Sequence, residues 1–349
     1  MKPPMIAFYD SKSYEMDFFE NEAKKTGIEF KYFNNRLNSD TVAMSKGFDG
    51  VCGFVNDDFS EQVISSLSEF NIPLVALRCA GYNNVSLKSA YKRIHFVRVP
   101  EYSPSSVAEH ALALILTLNR KTHKAYYRTR DNNFNINGLL GFDLKGKKIG
   151  VIGTGKIGKT FIKILSGFGV EILAYDIHPD TEFANDYSVK YVAIDDLFRC
   201  SDIISLHCPL TPENMYMINA ESIETMKDGV MLINTGRGKL INTKDMVEGL
   251  KSRKIGYAGL DVYEEETEYF FEDYSSSVIT DDVLARLLTF SNVLITSHQG
   301  FFTKEALSEI ASVTCSNIIS FFKDDALPNE ICYKCGNQEC RHKKEGRCF

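Results

Sequence analysis

Three side chains suited to carbonyl chemistry follow three β-rich runs in the second half of the chain. Arg237 comes after Val230 to Asn234, the run Glu264, Glu265 and Glu266 after Tyr257 to Tyr263, and His298 after Val293 to Ser297. Arginine offers a planar, permanently charged fork that matches a carboxylate. Histidine can move a proton near neutral pH, and a carboxylate beside it favours the charged imidazolium. Together these groups meet the needs of reducing a 2-oxo acid: an anchor for the carboxylate, a proton for the carbonyl oxygen as hydride reaches carbon, and a neighbour that keeps the donor charged. Each also has an ordinary reading, as a helix cap, a structural histidine or a solvated acidic face. Spacing alone does not choose among the three glutamates.

A source of hydride lies upstream. Lys148 to Ile152 reads as a buried strand, followed directly by Gly153-Thr154-Gly155-Lys156-Ile157-Gly158 and the amphipathic run Phe161 to Leu165. A glycine turn between strand and helix lets the backbone approach a pyrophosphate, whose charge sits against the helix N-terminus. The next strand, Glu171 to Tyr175, ends on Asp176, 18 residues after Gly158. An acid there accepts hydrogen bonds from the ribose hydroxyls and repels a 2′-phosphate, so NAD is expected rather than NADP. Ligands of open parallel sheets bind outside the carboxyl ends of the strands, which would bring Arg237, a glutamate and His298 to the nicotinamide.

These residues need a scaffold of alternating strands and helices. Before residue 100, the runs Ile6 to Tyr9, Ile28 to Phe33, Gly50 to Val55, Pro73 to Leu77 and Ile94 to Val99 read as strands separated by segments long enough for helices. That alternation implies βαβ units and a parallel sheet, an α/β fold. Pro104 opens a long helix through the apolar run Val107 to Leu118, and the polar stretch Arg128 to Asn137 reads as a surface crossing. A second alternating series begins at Lys148. With 349 residues, at roughly 100 to 200 per domain, two domains are expected.

Composition excludes several classes. Hydrophobic residues make up 44% and charged residues 25%, as in ordinary globular proteins. A formal net charge of -6 gives no support for bulk attraction to nucleic acid or to an anionic membrane. No apolar stretch is long enough for a membrane span, and Met1 to Asp10 does not read as a secretory signal. A cytoplasmic protein is the expectation.

The motifs Tyr102-Ser103-Pro104, Val107-Ala108-Glu109-His110, Gly153 to Gly158, His207-Cys208-Pro209-Leu210-Thr211-Pro212-Glu213-Asn214, Asn234-Thr235-Gly236-Arg237-Gly238, Asp261-Val262-Tyr263 and His298-Gln299 resemble those of the D-isomer-specific 2-hydroxyacid dehydrogenases. The resemblance covers about residues 5 to 330, and the long segment Glu264 to Asp282 is similar to that of bacterial fermentative D-lactate dehydrogenases. It implies two Rossmann-like or flavodoxin-like domains with parallel sheets, an NAD-binding domain at 102–299 inserted in a discontinuous catalytic domain at 1–101 and 300–331. By motif position, Arg237 would bind substrate, His298 would be the acid/base, and Glu266 its partner. The same resemblance puts Lys156, Ile157, Cys208, Pro209, Asn214, Thr235, Gly236 and Asp261 with Gly153, Gly155, Gly158 and Asp176 on the cofactor. It puts Cys79, Ala80, Gly81, Tyr102 and Phe301 with Arg237 and His298 around the substrate. The implied activity is reduction of pyruvate by NADH to D-lactate in a homo-oligomer, dimer or tetramer, with the Val107 to Leu118 helix region at the interface. One departure is Gly300, where close relatives more often carry a small side chain. The runner-up readings are a dehydrogenase of a larger 2-oxo acid, such as 2-oxoisocaproate or phenylpyruvate, and an NAD-responsive regulatory protein.

Five of the nine cysteines, Cys52, Cys79, Cys200, Cys208 and Cys315, are scattered along the chain and read as reduced thiols. The other four, Cys332, Cys335, Cys340 and Cys348, crowd a tail at 332–349, beyond the span of the resemblance. Four thiolates, or three with His342, could hold a tetrahedral zinc ion or another soft metal; the competing readings are a flexible reduced tail or adventitious disulfides, and a nucleic-acid or redox-sensing role.

Overall fold

The computed structural model describes residues 2–335 and 340–349; residues 336–339, part of the cysteine tail, lie outside the described residues. The chain forms two compact units, Met1–Ser103 with Thr303–Phe349, and Pro104–Phe302.

In the first unit, β1 (Met5–Phe8), β2 (Glu29–Tyr32), β3 (Gly50–Gly53), β4 (Leu74–Leu77) and β5 (His95–Val97) form a parallel sheet in the order β5-β4-β3-β1-β2. This is the flavodoxin-like arrangement. The central strands β3 and β4 are buried throughout, as expected of strands covered on both faces, which read as unbroken apolar runs. A two-residue strand, Glu330–Ile331, adds antiparallel to β5 with Ile331 opposite Phe96. Helices Ser13–Thr26 and Lys304–Phe322 pack against each other, so the end of the chain completes the unit begun at its start.

The second unit holds a seven-stranded, wholly parallel sheet. Its strands are β6 (Lys148–Ile152), β7 (Glu171–Tyr175), β8 (Val189–Tyr191), β9 (Ile203–Leu206), β10 (Val230–Asn234), β11 (Ile255–Leu260) and β12 (Val293–Ile295), in the order β12-β11-β10-β9-β6-β7-β8. The order reverses between β6 and β9, the switch point at which dinucleotides bind in Rossmann folds. Register pairs Asn234 with Leu260 and Leu260 with Ile295, so β10, β11 and β12 finish level with one another.

The helix expected after residue 102 runs Pro104–Arg120 and buries Val107, Ala108, Ala111, Leu114, Ile115 and Leu118. That spacing makes one apolar stripe, packed on the helix Lys156–Leu165 and on β11. These side chains belong to the core of their own unit. A second helix, Thr122–Arg130, occupies the start of the stretch read as a crossing and buries no residue. Among the described residues no helix is long and apolar enough to cross a membrane.

Candidate active site

The glycine turn after β6 is shaped by close approach. Gly153 has φ +93°, and a Cβ there would lie 2.6 Å from the backbone nitrogen of Cys208, so β6 and the residues after β9 meet at the switch point with no room for a side chain. A Cβ on Gly158 would come within 2.0 Å of the Gly153 carbonyl oxygen. Gly155 is the N-cap of the Lys156–Leu165 helix, and Ile157 packs into the core behind it.

Asp176, at the end of β7, folds over this turn. Its Oδ2 accepts from Thr154 N at 2.6 Å and Thr154 Oγ1 at 3.0 Å, and its Oδ1 accepts from His178 N at 2.8 Å. Burial works to raise its pKa, but the bonds from His178 and Thr154 outweigh it and hold the carboxylate below its ordinary value. A cavity of about 1090 Å³ opens here, lined by Gly153, Gly155, Asp176, Cys208, Pro209 and Asn214 among others. Asn214 ties the 208–211 loop together, its Nδ2 donating to Pro209 O at 2.7 Å and its Oδ1 accepting from Thr211 N at 2.8 Å. Burial pushes the Cys208 thiol up to about 11, so it is a neutral wall rather than a nucleophile. His207 stays neutral too, its pKa lowered to about 4 by burial.

Two buried polar atoms here have no protein partner, His207 Nδ1 and Thr235 Oγ1. Buried polar groups are nearly always satisfied. Orphaned donors beside a side-chain-free cradle and an ionised acid fit a dinucleotide, with its phosphates on the turn and a ribose at Asp176.

The three strand ends place the candidate catalytic side chains. Beyond β10, Asn234 Oδ1 accepts from Gly236 N at 3.0 Å and its Nδ2 donates to Arg237 O at 2.9 Å, shaping the Thr235-Gly236-Arg237-Gly238 loop. A Cβ on Gly238 would stand 2.1 Å from the Tyr263 carbonyl; this second glycine lets the loop lie against the segment beyond β11. Arg237 is half-buried, with Nη1 donating to Gly236 O at 2.8 Å.

Geometry separates the three glutamates. Glu264 accepts from Tyr216 OH at 2.9 Å and from Thr243 N at 2.6 Å, bracing neighbouring loops. Glu265 is exposed, with Lys239 at 4.0 Å. Glu266 accepts from Tyr263 N through Oε2 at 3.1 Å and lies 3.0 Å from His298 Nδ1 through Oε1.

His298 follows β12 in the left-handed region, φ +49°, a conformation a side chain adopts only when surroundings hold it. Its N–H donates to Asp261 O at 2.8 Å and Thr296 O at 3.1 Å. The carboxylate of Asp261, 1% exposed, accepts from Thr296 Oγ1 at 2.5 Å, Gln299 N at 2.9 Å and Gly300 N at 2.8 Å. His110 Nε2 reaches Thr296 Oγ1 at 3.0 Å and Asp261 Oδ1 at 3.2 Å. Asp261, which the resemblance put on the cofactor, is thus the hub of the turn that presents His298. A Cβ on residue 300 would sit 2.9 Å from Asp261 Oδ2, so Gly300 allows that close approach. The Asp261, Thr296 and His110 network was not read from the sequence; its residues are far apart in the chain, and only the side-chain pairing reveals it.

The remaining residues of the set lie where each unit places them. In the first unit, Cys79, Ala80 and Gly81 form the turn after β4, with Cys79 Sγ donating to Gly81 O at 3.2 Å and Arg98 Nη1 to Ala80 O at 2.7 Å. Tyr102 is half-buried beyond β5. In the second unit, Phe301 is buried with its ring 6.4 Å from that of Phe271.

Comparison with known proteins gives one family model, D-isomer specific 2-hydroxyacid dehydrogenase, NAD binding domain, matching residues 112–300. A 2-hydroxyacid dehydrogenase homolog of Haemophilus influenzae is 49% identical over 90% of this chain and 95% of its own. The D-lactate dehydrogenase of Escherichia coli is 47% identical over 93% of this chain and 99% of its own. The solved structure of the pyruvate reductase of Chlamydomonas reinhardtii superposes with a TM-score of 0.90 at 40% identity, covering 94% of this chain and 99% of that one.

Proposed function

Since the chain belongs to the NAD-binding D-isomer-specific 2-hydroxyacid dehydrogenases, we propose that it is a D-lactate dehydrogenase reducing pyruvate with NADH. The observation that carries the chemistry is the 3.0 Å pair of His298 Nδ1 and Glu266 Oε1, on a strand level with that of Arg237. The choice of pyruvate, and of the D product, rests on the likeness to the E. coli enzyme.

The bound nicotinamide supplies the hydride. Arg237 holds the substrate carboxylate through its guanidinium fork and draws charge toward the carbonyl. Glu266, fixed by Tyr263 N, keeps a proton on His298 Nδ1 and stabilises the imidazolium, so that Nε2 gives its proton to the carbonyl oxygen. In the reverse direction, neutral His298 takes the hydroxyl proton at Nε2. The reading assigns Lys156, Ile157, Asp176, Thr235, Gly236 and Asp261, with the glycine turn and the Cys208, Pro209 and Asn214 loop, to the cofactor. Cys79, Ala80, Gly81, Tyr102 and Phe301 belong to the substrate, with the Pro104–Phe302 unit as cofactor domain and the discontinuous unit as substrate domain. It retains a homo-oligomer in the cytoplasm.

Comparing kcat/KM for pyruvate, 2-oxoisocaproate and phenylpyruvate tests the substrate. Pyruvate is expected to lead; a clear preference for either larger acid contradicts the lactate assignment and leaves the family intact.

A further inference from the structure

The first unit contains a cluster that dehydrogenation does not use. Cys332, Cys335, Cys340 and Cys348 bring their four sulfurs within 4.8 Å of one another. Cys332 to Cys340, Cys335 to Cys348 and Cys340 to Cys348 are each 3.8 Å apart, and Cys335 to Cys332 is 3.7 Å. We propose that these four thiolates form a structural zinc site that closes the end of the chain onto the edge of the first unit's sheet.

The distances carry the assignment. A zinc ion with sulfurs at about 2.3 Å in a tetrahedron sets neighbouring sulfurs about 3.8 Å apart. A disulfide needs about 2.05 Å between one pair and leaves the others apart, whereas all four cysteines here are free and their sulfurs lie within 4.8 Å of one another. A cluster of several irons spreads its cysteines beyond the reach of one ion. The backbone supports the same geometry, for Cys332 N donates to Cys335 Sγ at 3.1 Å and so stabilises negative charge on that sulfur. His342, the alternative ligand, is engaged elsewhere, its Nε2 lying 2.7 Å from Leu327 O. With four protein thiolates no position remains for water, so the ion would brace structure rather than catalyse.

Two of the ligands are already fixed to the unit. Cys332 follows the strand that pairs with β5, and Cys348 N donates to Glu330, whose other oxygen meets His95 Nδ1 of β5 at 2.5 Å. Phe349 stacks on His95 with ring centroids 4.2 Å apart. A metal joining residues 332 and 348 therefore closes a loop whose ends are both held on the sheet edge, and its binding energy adds to folding. Binding releases the thiol protons and leaves a dianionic centre, flanked in sequence by Lys334, Arg341, Lys344 and Arg347.

The test is metal analysis of the full-length protein purified under reducing conditions. About one zinc per chain is expected, together with the intense visible bands of a tetrahedral tetrathiolate when Co(II) replaces it. Cys335→Ser and Cys340→Ser should each lose the metal and lower Tm, while Cys200→Ser, outside the cluster, keeps it. Removing zinc from the wild type and adding it back should lower and then restore Tm, a result independent of any variant. No zinc on the reduced wild type after incubation with excess Zn(II), zinc retained by the Cys335→Ser, Cys340→Ser double variant, iron in its place, or disulfides mapped among the four cysteines would each overturn the proposal.

Discussion

His298 is held by three atoms that are not its own: the carbonyl oxygens of Asp261 and Thr296 at its N–H, and Glu266 Oε1 at Nδ1, the glutamate itself fixed by Tyr263 N. The glutamate that meets His298 is therefore distinguishable from its neighbours, and the proposed role in proton transfer can be tested on it alone. Glu266→Gln removes the charge beside the imidazole and should lower kcat about tenfold or more with little change in Tm. Glu264→Gln weakens the bracing of Tyr216 and Thr243 and should lower Tm with little change in kcat; reversal of the two outcomes would move the role to Glu264. Arg237→Lys keeps the charge and loses the bidentate fork, so kcat/KM for pyruvate should fall about a hundredfold, and kinetics like the wild type would remove the clamp. For the cofactor, Asp176→Ala should erode the preference for NADH over NADPH about tenfold or more. Because the pKa of Asp176 is lowered in the folded chain, its carboxylate stays ionised from neutral pH down past its ordinary value near 3.8. Any narrowing of that preference between about pH 7 and 5 should then follow protonation of the 2′-phosphate of NADPH, whose second pKa is about 6, rather than of Asp176, as paired NADH and NADPH titrations can show. The three glutamates illustrate what the sequence could not tell: adjacent residues of one type differ only in what each carboxylate meets.

At the scale of elements, the site depends on strand ends that finish level and on loops that glycine allows to touch. The fingerprint was legible because a buried strand, a glycine turn, an amphipathic helix and a terminal acid arrive in chain order, each within a few residues of the next. Strands β1 to β7, β10 and β12 lie within a residue or two of their expected runs, most of them continuous apolar stretches and β2 an alternating one. β8 and β9 are not among the expected runs, although neither is shorter than β5 or β12, which are. The expected run to Tyr263 stops at Leu260, where Asp261 turns its carboxylate to the β12 loop. Helix Thr122–Arg130 buries nothing, so no apolar stripe announced it. The Asp261 hub gives its own test. Thr296→Val deletes the hydroxyl shared by Asp261 and His110 and should reduce kcat about tenfold by loosening the His298 turn, with NADH affinity unchanged; unaltered kcat would mean that the turn is held without it.

At the scale of the whole molecule, length alone suggested two domains in a row, while the chain builds its second unit from Pro104–Phe302 between the two segments of the first. The packing of Ser13–Thr26 on Lys304–Phe322 lies beyond any local pattern, and the resemblance, rather than periodicity, raised the expectation of a split chain. The tail shows the opposite limit: its spacing proposed four ligands, but only the fold brings their sulfurs to 3.7 and 3.8 Å and ties His342 to Leu327. The central claim is that one unit binds NADH and uses His298 as the proton donor to pyruvate. It is tested most directly by following NADH binding and pyruvate-dependent NADH oxidation together, in the wild type and in His298→Gln. The expected result is turnover by the wild type, equal NADH affinity in the two proteins, and a kcat lower by about a hundredfold or more in the variant. A wild-type protein that binds NADH yet oxidises none with any 2-oxo acid, or a variant with unchanged kcat, would contradict it.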